Sequence, residues 1–336
     1  MDYSDAGAGW RQMGRKLLGR LNMGFLRKYA VVLVLLLLIL LFALVSDSFF
    51  TLRNFSNMIS QNTYFIIVSI GMVFVLISGG IDLSVGYQMS LVGVVTAMMM
   101  LLWHFPVWAA IILGLILGTF LGLINGMIVT RIRTFPLIVT LATSVIFQGV
   151  SYIVSQARTF RDYPAAFQFI ARGSIGGTTF DVWLVLFIVV VASVIFYKTT
   201  WGTRVVALGG NEEALRLAGV NTRHIKIWVY TVCGFMTAIA TMVMISKANS
   251  VQSSFGPGTE FTALTAAIVG GVSFLGGEGN IPALVAGVFV LAVLGNGMQL
   301  AGWGSYPQFI VRGVILLAAV AFDEYQKSLK MKVKRR

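Results

Sequence analysis

Charged side chains are almost absent from a long stretch of this chain, and that pattern limits the folds open to it. Between Arg53 and Arg131 the only charged residue is Asp82, and apolar runs flank it on both sides. A helix needs about 20 apolar residues to cross a bilayer. Soluble domains carry about 25% charged residues, whereas this 336-residue chain has 11%. The sequence therefore predicts an all-α polytopic membrane protein.

Uncharged runs give about ten candidate membrane spans. The run Leu83–Thr130 is too long for one crossing, and His104-Phe105-Pro106 divides it into two. The predicted spans are Tyr29–Ser46, one within Asn54–Ile81, two within Leu83–Thr130, Thr134–Ala157, Val182–Tyr197, Ile227–Ser246, Phe261–Gly277, one within Gly279–Val311, and about Pro307–Phe322.

The distribution of basic residues predicts the orientation. Ten spans put both termini on one side, and that side receives 19 of the 25 Lys and Arg residues. Basic residues accumulate on the cytoplasmic side of membrane proteins. We therefore expect cytoplasmic tails over 1–28 and 323–336, a membrane domain over 29–322, a cytoplasmic loop over 198–226 and an external loop over 155–181. The same rule explains the net charge of +13 without a nucleic-acid partner.

The segment Ser78–Gly86 has two features that disfavour a lipid-facing helix. Each glycine of the pair Gly79-Gly80 costs a helix interior roughly 1 kcal/mol, and a carboxylate such as Asp82 costs about 2.5 to 3.5 kcal/mol on insertion scales. We therefore expect a broken helix near Asp82. Asp82 or Ser84 could cap the next helix, or Asp82 could lie with opened backbone at a cytoplasmic gate or along a transport path. A proton-coupling carboxylate is a third alternative.

Two short patterns occur twice. The first pattern is Asn-Gly-Met followed, after seven residues, by an aromatic residue and proline. It occurs at Asn125-Gly126-Met127 with Phe135-Pro136 and again at Asn296-Gly297-Met298 with Tyr306-Pro307. In the second pattern, Ile77–Ile81 resembles Ile268–Val272. Transporters are often built from repeated halves, although glycine-rich membrane patterns also match by chance. The candidate gate or pathway residues are Ser78, Gly79, Gly80, Asp82, Ser84, Gly86, Asn125 and Asn296.

Several other polar residues in the apolar spans have two interpretations. Each could contact a transported solute or form hydrogen bonds between helices. Arg312 could reach the outer headgroups or line an upper vestibule. The isolated residues His104 and His224 suggest no metal site. The polar candidates are Gln61, Asn62, Asn125, Gln148 and Asn296.

The cytoplasmic loop predicts a short exposed helix. Asn211 is a favourable N-cap, and Glu212 and Glu213 follow in the first turn, where the helix dipole stabilises carboxylates. Gly219 is a typical C-terminal stop. We therefore expect a two-turn helix over Glu212–Ala218.

This loop also carries a resemblance to a known family. The loop resembles the ATPase-coupling segment of bacterial ABC importer permeases for ribose, galactose, xylose and similar sugars. The resemblance lies in Gly202-Thr-Arg, Ala207-Leu-Gly-Gly-Asn211, Ala214 and Gly219-Val-Asn221. Ser78–Gly86, Phe135–Leu141 and Ile268–Gly277 are similar to the same family, in the same order. The resemblance extends over roughly Phe50 to Asp323.

The resemblance implies a multi-pass permease in the bacterial inner membrane that works with other subunits. Two permease copies would form the pathway, a separate ATPase would bind ATP and Mg, and a periplasmic or lipid-anchored binding protein would deliver the sugar. The chain contains no Gly-Lys dipeptide, so it lacks a Walker A loop and needs no cofactor of its own. The implied coupling residues are Gly202, Gly210, Asn211, Glu213, Ala214, Arg216, Leu217 and Gly219.

Other functions remain open at this stage. Arg158, Arg161 and Arg172 of the external loop could pair with carboxylates of the binding protein, or they could be solvated loop charges. An ion-coupled secondary transporter would normally show several intramembrane charges. The same ABC architecture could also carry a nucleoside or an amino acid. We expect no enzymatic activity in this chain.

Overall fold

The computed structural model describes residues 23–132 and 134–334, and this part of the chain is predominantly helical. Its fourteen helices are α1 (Met23–Val45), α2 (Leu52–Gln61), α3 (Thr63–Ile77), α4 (Val85–Leu101), α5 (Val107–Arg131), α6 (Pro136–Ser155), α7 (Ala165–Arg172), α8 (Phe180–Lys198), α9 (Thr200–Gly210), α10 (Glu212–Leu217), α11 (Thr222–Ala248), α12 (Thr259–Val269), α13 (Ile281–Leu300) and α14 (Ser305–Lys334).

Helices lie at each of the ten positions where the sequence predicts a span. Six are long and apolar enough to cross a membrane, namely α5, α6, α8, α11, α13 and the Ser305–Glu324 part of α14. Helices α2 and α3 form a pair bent by 45°, and Val31–Val45, α4 and α12 are shorter apolar helices. The break between α4 and α5 falls at His104-Phe105-Pro106 as predicted. The number of crossings and the side of the termini stay predictions.

Helix α11 is the centre of the fold. With 27 residues it is about 40 Å long, and it packs against α5 along one side and α3 along another. Small residues allow the close approach to α5: a Cβ at Gly122 would overlap the carbonyl oxygen of Tyr230. Such small-residue contacts are typical of membrane helix pairs. One end of α11 follows α10, and its other end defines the opposite end of the molecule.

The predicted external loop is an ordered layer at that opposite end. It contains the short strands β1 (Phe160–Arg161), β2 (Ser174–Ile175) and β3 (Thr178–Thr179) as well as α7; β1 pairs with β4 (Ser250–Val251) and β2 with β3. Phe167 of α7 is buried, and its carbonyl accepts a hydrogen bond from Ser246 Oγ of α11 at 3.0 Å. The layer is ordered because α7 buries one face on α11.

The helices at the two ends continue past the predicted span limits. Helix α1 begins at Met23, inside the predicted tail 1–28, and α14 runs to Lys334 through most of the tail 323–336. Residues 1–22 and 335–336 of these tails lie outside the described residues.

The two similar glycine segments have the same backbone geometry. After α3, the N–H groups of Gly79 and Gly80 bond the carbonyls of Leu76 and Val75; after α12, Gly271 and Val272 bond Ile268 and Ala267 in the same pattern. Gly79 and Gly271 have φ angles of +81° and +80°, which favour glycine at a helix C-terminus. The two helix ends are therefore equivalent, but Gly79 corresponds to Gly271, one residue away from the sequence match, which aligns Gly79 with Gly270.

Candidate functional site

The chain is not helical between Ile77 and Val85, which confirms the predicted break near Asp82. Helix α3 ends at Ile77 and α4 begins at Val85. Asp82 and Ser84 are fully buried in this break. The Asp82 Oδ1 atom accepts hydrogen bonds from the Ser84 backbone N–H at 2.9 Å and from the Ser84 hydroxyl at 2.5 Å. The carboxylate thus binds Ser84, the residue that precedes α4, whereas no side chain accepts a hydrogen bond from the first N–H groups of the helix. The predicted cap by Asp82 or Ser84 is therefore not formed.

A buried polar cluster surrounds this contact. Asn125 of α5 donates from Nδ2 to the Ser84 hydroxyl at 2.7 Å, and Gln88 of α4 donates from Nε2 to the same oxygen at 2.7 Å. Asn125 Nδ2 also lies 3.5 Å from Asp82 Oδ1. The remaining oxygens of Asp82, Gln88 and Asn125 receive no hydrogen bond from the described residues. The cluster therefore contains more acceptors than donors. Gln88 is a member that the sequence analysis missed.

Two further helices hold the backbone of the break. The carbonyl oxygen of Ile81 accepts hydrogen bonds from Thr140 Oγ1 of α6 at 3.2 Å and from the Tyr230 hydroxyl of α11 at 3.3 Å. The N–H of Leu83 donates to Thr140 Oγ1 at 3.2 Å. Buried backbone groups need such partners, so the opened segment has a fixed conformation despite lacking helical bonds.

The predicted pathway glycines are places of close approach. A Cβ at Gly80 would lie 2.6 Å from the Tyr230 hydroxyl, and one at Gly86 would overlap the carboxylate of Glu260. Glu260 is buried at the start of α12 and accepts from the Gly258 N–H at 3.0 Å. The sequence analysis missed Glu260; its signal is the acidic residue in the first turn after Gly258.

The break also contacts the predicted cytoplasmic loop. A Cβ at Gly209, near the end of α9, would overlap the carbonyl oxygen of Ile77 and lie 2.5 Å from the N–H of Gly277. A Cβ at Gly276 would lie 2.9 Å from the Cα atom of Gly79. Backbone thus packs on backbone among three segments: the end of α3, the end of α9 and the turn before α13. We call this contact the glycine junction, defined by Gly79, Gly209, Gly276 and Gly277.

Helix α10 follows the glycine junction directly, and its six residues Glu212–Leu217 confirm the predicted short helix. Asn211 Oδ1 accepts from the Ala214 N–H at 2.9 Å, and Gly219 has a φ of +81°. Most of the helix is exposed, and Leu217 reaches 79% exposure. Leu215 is the residue of the helix that packs on the core. The helix therefore presents an exposed surface and is attached through Leu215.

Ion pairs fix the charged side chains of α10. Arg216 pairs with Glu213 at 2.6 Å, and Lys226 of α11 pairs with Glu212 at 2.6 Å. The hydrogen bond to Glu213, together with its charge, raises the pKa of Arg216. Exposed pairs of this kind add little stability, so these charges remain available to a partner.

The remaining coupling candidates divide by burial. Gly202 is buried in the first turn of α9. The other candidates are exposed, namely Gly210, Asn211, Glu213, Ala214, Arg216, Leu217 and Gly219. A Cβ at Gly202 would overlap the carbonyl oxygen of Phe196. Gly202 thus allows the sharp turn from α8 into α9 and cannot itself contact a partner.

Asn296 does not join the cluster around Asp82. Its amide exchanges two hydrogen bonds of 2.9 Å with the amide of Asn54.

Arg158 and Arg161 are exposed at the end opposite α10, whereas the Arg172 guanidinium donates to the carbonyl oxygen of Lys247 at 3.0 Å. Arg158 and Arg161 are therefore freer than Arg172 to bind a partner.

A buried ion pair lies at the same end and was not predicted. Lys247 Nζ lies 2.6 Å from Asp181 Oδ2, and Asp181 is fully buried. Thr63 Oγ1 donates to the same carboxylate oxygen at 2.8 Å, and Lys247 also donates to the Ser60 carbonyl. The pair joins the starts of α3 and α8 to the end of α11. The sequence signal is two opposite charges at span ends on the same side.

A helix broken at a buried polar cluster, and joined through the glycine junction to a short exposed helix, is typical of membrane transporters. Residues 54–320 match the family described as branched-chain amino acid transport system / permease component. The chain belongs to this family, and it is a multi-pass protein of the bacterial inner membrane.

Named relatives agree with this assignment. The chain is 32% identical to the ribose import permease protein RbsC of Haemophilus influenzae, over 91% of this chain and 96% of that protein. It is 34% identical to the L-arabinose transport system permease protein AraH of Escherichia coli K12, over 91% and 93%. It is 31% identical to the D-allose transport system permease protein AlsC of the same strain, over 89% and 92%. No solved structure matches the chain significantly.

Proposed function

We propose that this chain is the permease subunit of an ATP-driven, binding-protein-dependent importer for a monosaccharide such as ribose, galactose or xylose. The proposal is supported by the relatives, whose names specify ribose, L-arabinose and D-allose. The chain forms the translocation pathway, and ATP with its Mg belongs to a separate ATPase subunit. No residue of this chain is assigned to catalysis, a metal or a cofactor.

The glycine junction is the observation that carries the proposed mechanism. Helix α10 is an exposed lever that begins directly after Gly209 and Gly210, and Gly209 packs against the end of α3. A movement imposed on α10 by an ATPase would therefore reach the break that contains Asp82 through backbone contact. Backbone packed at this distance cannot be compressed, so the coupling is mechanical.

The partners follow from the same scheme. The ATPase binds Glu213, Arg216 and Leu217 of α10, and a periplasmic or lipid-anchored sugar-binding protein binds Arg158 and Arg161 at the other end. A second copy of the permease completes the pathway. The exposed apolar side chains of α14, such as Phe309, Ile310 and Leu317, are compatible with lipid as well as with a second copy, so the dimer rests on the resemblance.

Two alternatives carry less support. The matched family is named for branched-chain amino acid transport, which favours an amino acid as the second candidate solute. RbsC, AraH and AlsC, at 31 to 34% identity to this chain, are named as sugar permeases. Ion coupling has no comparable support.

A transport assay tests the proposal. The permease is purified with its ATPase subunit, reconstituted in vesicles, and supplied with the binding protein and radiolabelled ribose, galactose, xylose, arabinose, allose or leucine. We expect the ATPase to copurify and one of the sugars to accumulate only with ATP. Accumulation of leucine alone, or uptake driven by an ion gradient without ATP, would contradict the proposal.

A further inference from the structure

A polar cavity lies in the half of the molecule opposite α10. Its volume is about 350 Å³, and it is bounded by the α2–α3 junction, the end of α11, and helices α12, α13 and α14. Ligand cavities of proteins are about 300 to 1,000 Å³. This cavity is therefore large enough for one small ring and too small for a long oligomer.

Aromatic and planar polar side chains line this cavity together. Tyr64 and Phe65 contribute rings whose centroids are 4.2 Å apart. Gln308 and Arg312 approach from α14, and a Cβ at Gly295 would lie 3.4 Å from Gln308 Oε1 and 3.6 Å from an Arg312 terminal nitrogen. Four of the side chains with open roles in the sequence line this cavity: Gln61, Asn62, Asn296 and Arg312.

Some polar residues of the wall are occupied by structural bonds. Asn296 is paired with Asn54, Asn62 Nδ2 donates to the Met58 carbonyl, and Lys247 is neutralised by Asp181. These residues hold helices together and offer little to a ligand.

Two other polar groups of the wall have no hydrogen-bond or ion-pair partner among the residues that the structure describes. Ser69 is fully buried, and its hydroxyl makes no hydrogen bond to the residues described. Arg312 is half-buried, and it forms no ion pair with any residue that the structure describes. An unsatisfied buried hydroxyl costs about 1 to 3 kcal/mol, and an intramembrane arginine without a carboxylate is unusual. Both groups therefore favour a polar occupant of the cavity, either water or a polar ligand.

The chemistry of the free groups limits what that occupant can be. A guanidinium without a counter-ion excludes cations, and the rings offer an apolar surface of modest size. A monosaccharide has hydroxyl groups that accept from Arg312, exchange hydrogen bonds with Ser69 and Gln308, and present a C–H face to an aromatic ring. A branched-chain amino acid would also pair its carboxylate with Arg312, so the choice of a monosaccharide rests on the relatives, which are named for sugars.

We propose that the cavity lined by Tyr64, Ser69, Gln308 and Arg312 is a binding site within the permease for one monosaccharide molecule. The site deepens the proposed sugar import and rests on it. The sugar would occupy it after leaving the binding protein and before passing the break at Asp82, because the cavity lies at the end opposite α10.

Transport kinetics provide the first test. Ser69→Ala and Arg312→Gln are compared with Ser151→Ala in the reconstituted complex with its ATPase and binding protein. Ser151 is the matched control, because it is fully buried and its hydroxyl is also unpartnered among the described residues, yet it does not line the cavity. We expect Arg312→Gln to reduce sugar uptake per ATP hydrolysed about tenfold, Ser69→Ala less, and Ser151→Ala not at all. Equal ratios in all three variants and the wild type would overturn the proposal.

Substrate protection separates the site from the transport function. Cys233 is the chain's one cysteine, so Gln308→Cys in a Cys233→Ala background provides a single, partly exposed thiol in the cavity. Saturating ribose, galactose, xylose, arabinose or allose should slow its reaction with a small thiol reagent, with little effect on a thiol at Ser305→Cys, which is exposed on the same helix outside the cavity. Sugar uptake without any protection would refute the cavity site alone. Protection by leucine and by none of the sugars would refute the monosaccharide assignment, whereas failure of all sugars to be taken up would refute the proposed function.

Discussion

The backbone N–H of Gly277 donates a hydrogen bond of 2.9 Å to the carbonyl oxygen of Ile77. Ile77 is the last residue of α3, and Gly277 lies in the turn that leads into α13. Gly209 packs against both residues. The helix break that contains Asp82 and the segment that leads into α10 therefore share one contact, and every prediction about coupling depends on it.

Replacing Asp82 should impair transport without preventing assembly. In Asp82→Asn the amide retains one acceptor for Ser84, and its NH₂ group can donate to acceptors of the cluster that have no donor among the described residues. In Asp82→Ala the buried N–H and hydroxyl of Ser84 lose their acceptor, which costs about 1 to 3 kcal/mol. We expect Asp82→Asn to reduce uptake. We expect Asp82→Ala to reduce both uptake and the yield of purified protein.

The assay for Asp82 measures uptake normalised to the amount of purified complex. Asp47→Asn serves as the control, because Asp47 is exposed outside the break. Wild-type uptake by both Asp82 variants would exclude a role for this carboxylate.

Charge reversal on α10 should prevent ATPase binding. Arg216 and Leu217 are exposed, so Arg216→Glu and Leu217→Glu leave the core intact. We expect the copurified ATPase to fall at least several-fold while permease yield is retained. Arg223→Glu makes the same charge change on an exposed residue of α11 outside α10 and should have a smaller effect. If all three variants retain the ATPase equally, α10 is not the contact.

Reversing Arg158 and Arg161 to Glu should weaken binding-protein docking. Both side chains are exposed at the end opposite α10, where carboxylates of a partner could pair with them. We expect binding-protein-stimulated ATP hydrolysis to fall and to depend less on salt than in the wild type. Arg53→Glu, the reversal of an exposed arginine on α2, is the charge-matched control for each single reversal. Unchanged stimulation in the double variant would remove the docking hypothesis.

Breaking the Asp181–Lys247 pair should destabilise the permease. Asp181 is fully buried, whereas the Lys247 side chain is 22% exposed, so Lys247→Met leaves an uncompensated buried charge. Loss of one partner of a buried pair costs about 3 to 5 kcal/mol, and the partial exposure of Lys247 favours the lower end. The double variant Asp181→Asn with Lys247→Met should recover part of the loss. Thermal unfolding in detergent measures this, and additive losses would show that the two residues do not interact.

Local sequence signals predicted the elements that depend on local chemistry. The break at Ser78–Gly86 and the short helix after Asn211 follow from glycine, carboxylate and capping preferences that act over a few residues. The ten apolar segments follow from composition alone. The similar ends of α3 and α12 also follow from a local pattern, because each is followed by a glycine pair in which one glycine has a positive φ. That glycine is the first of the pair after α3, Gly79, and the second after α12, Gly271.

Long-range contacts were beyond the sequence. Nothing local shows that Gly209 packs on Ile77, that Glu260 faces Gly86, or that Lys247 reaches Asp181, because each contact depends on how distant helices are arranged. Asn125 and Asn296 occupy similar positions in the repeated pattern, yet only Asn125 contacts the Asp82 cluster. Their different environments come from the helices packed around them.

The central claim is that the glycine junction transmits movement from α10 to the break at Asp82, and Gly209→Ala tests it most directly. The added Cβ would overlap the Ile77 carbonyl, so the junction must open, whereas Gly210→Ala meets nothing within 4 Å and Gly149→Ala is an open position on α6. The measurement is solute uptake per ATP hydrolysed by the reconstituted complex. We predict a loss of about tenfold or more for Gly209→Ala and little or none for Gly210→Ala and Gly149→Ala; a wild-type ratio in Gly209→Ala would contradict the claim.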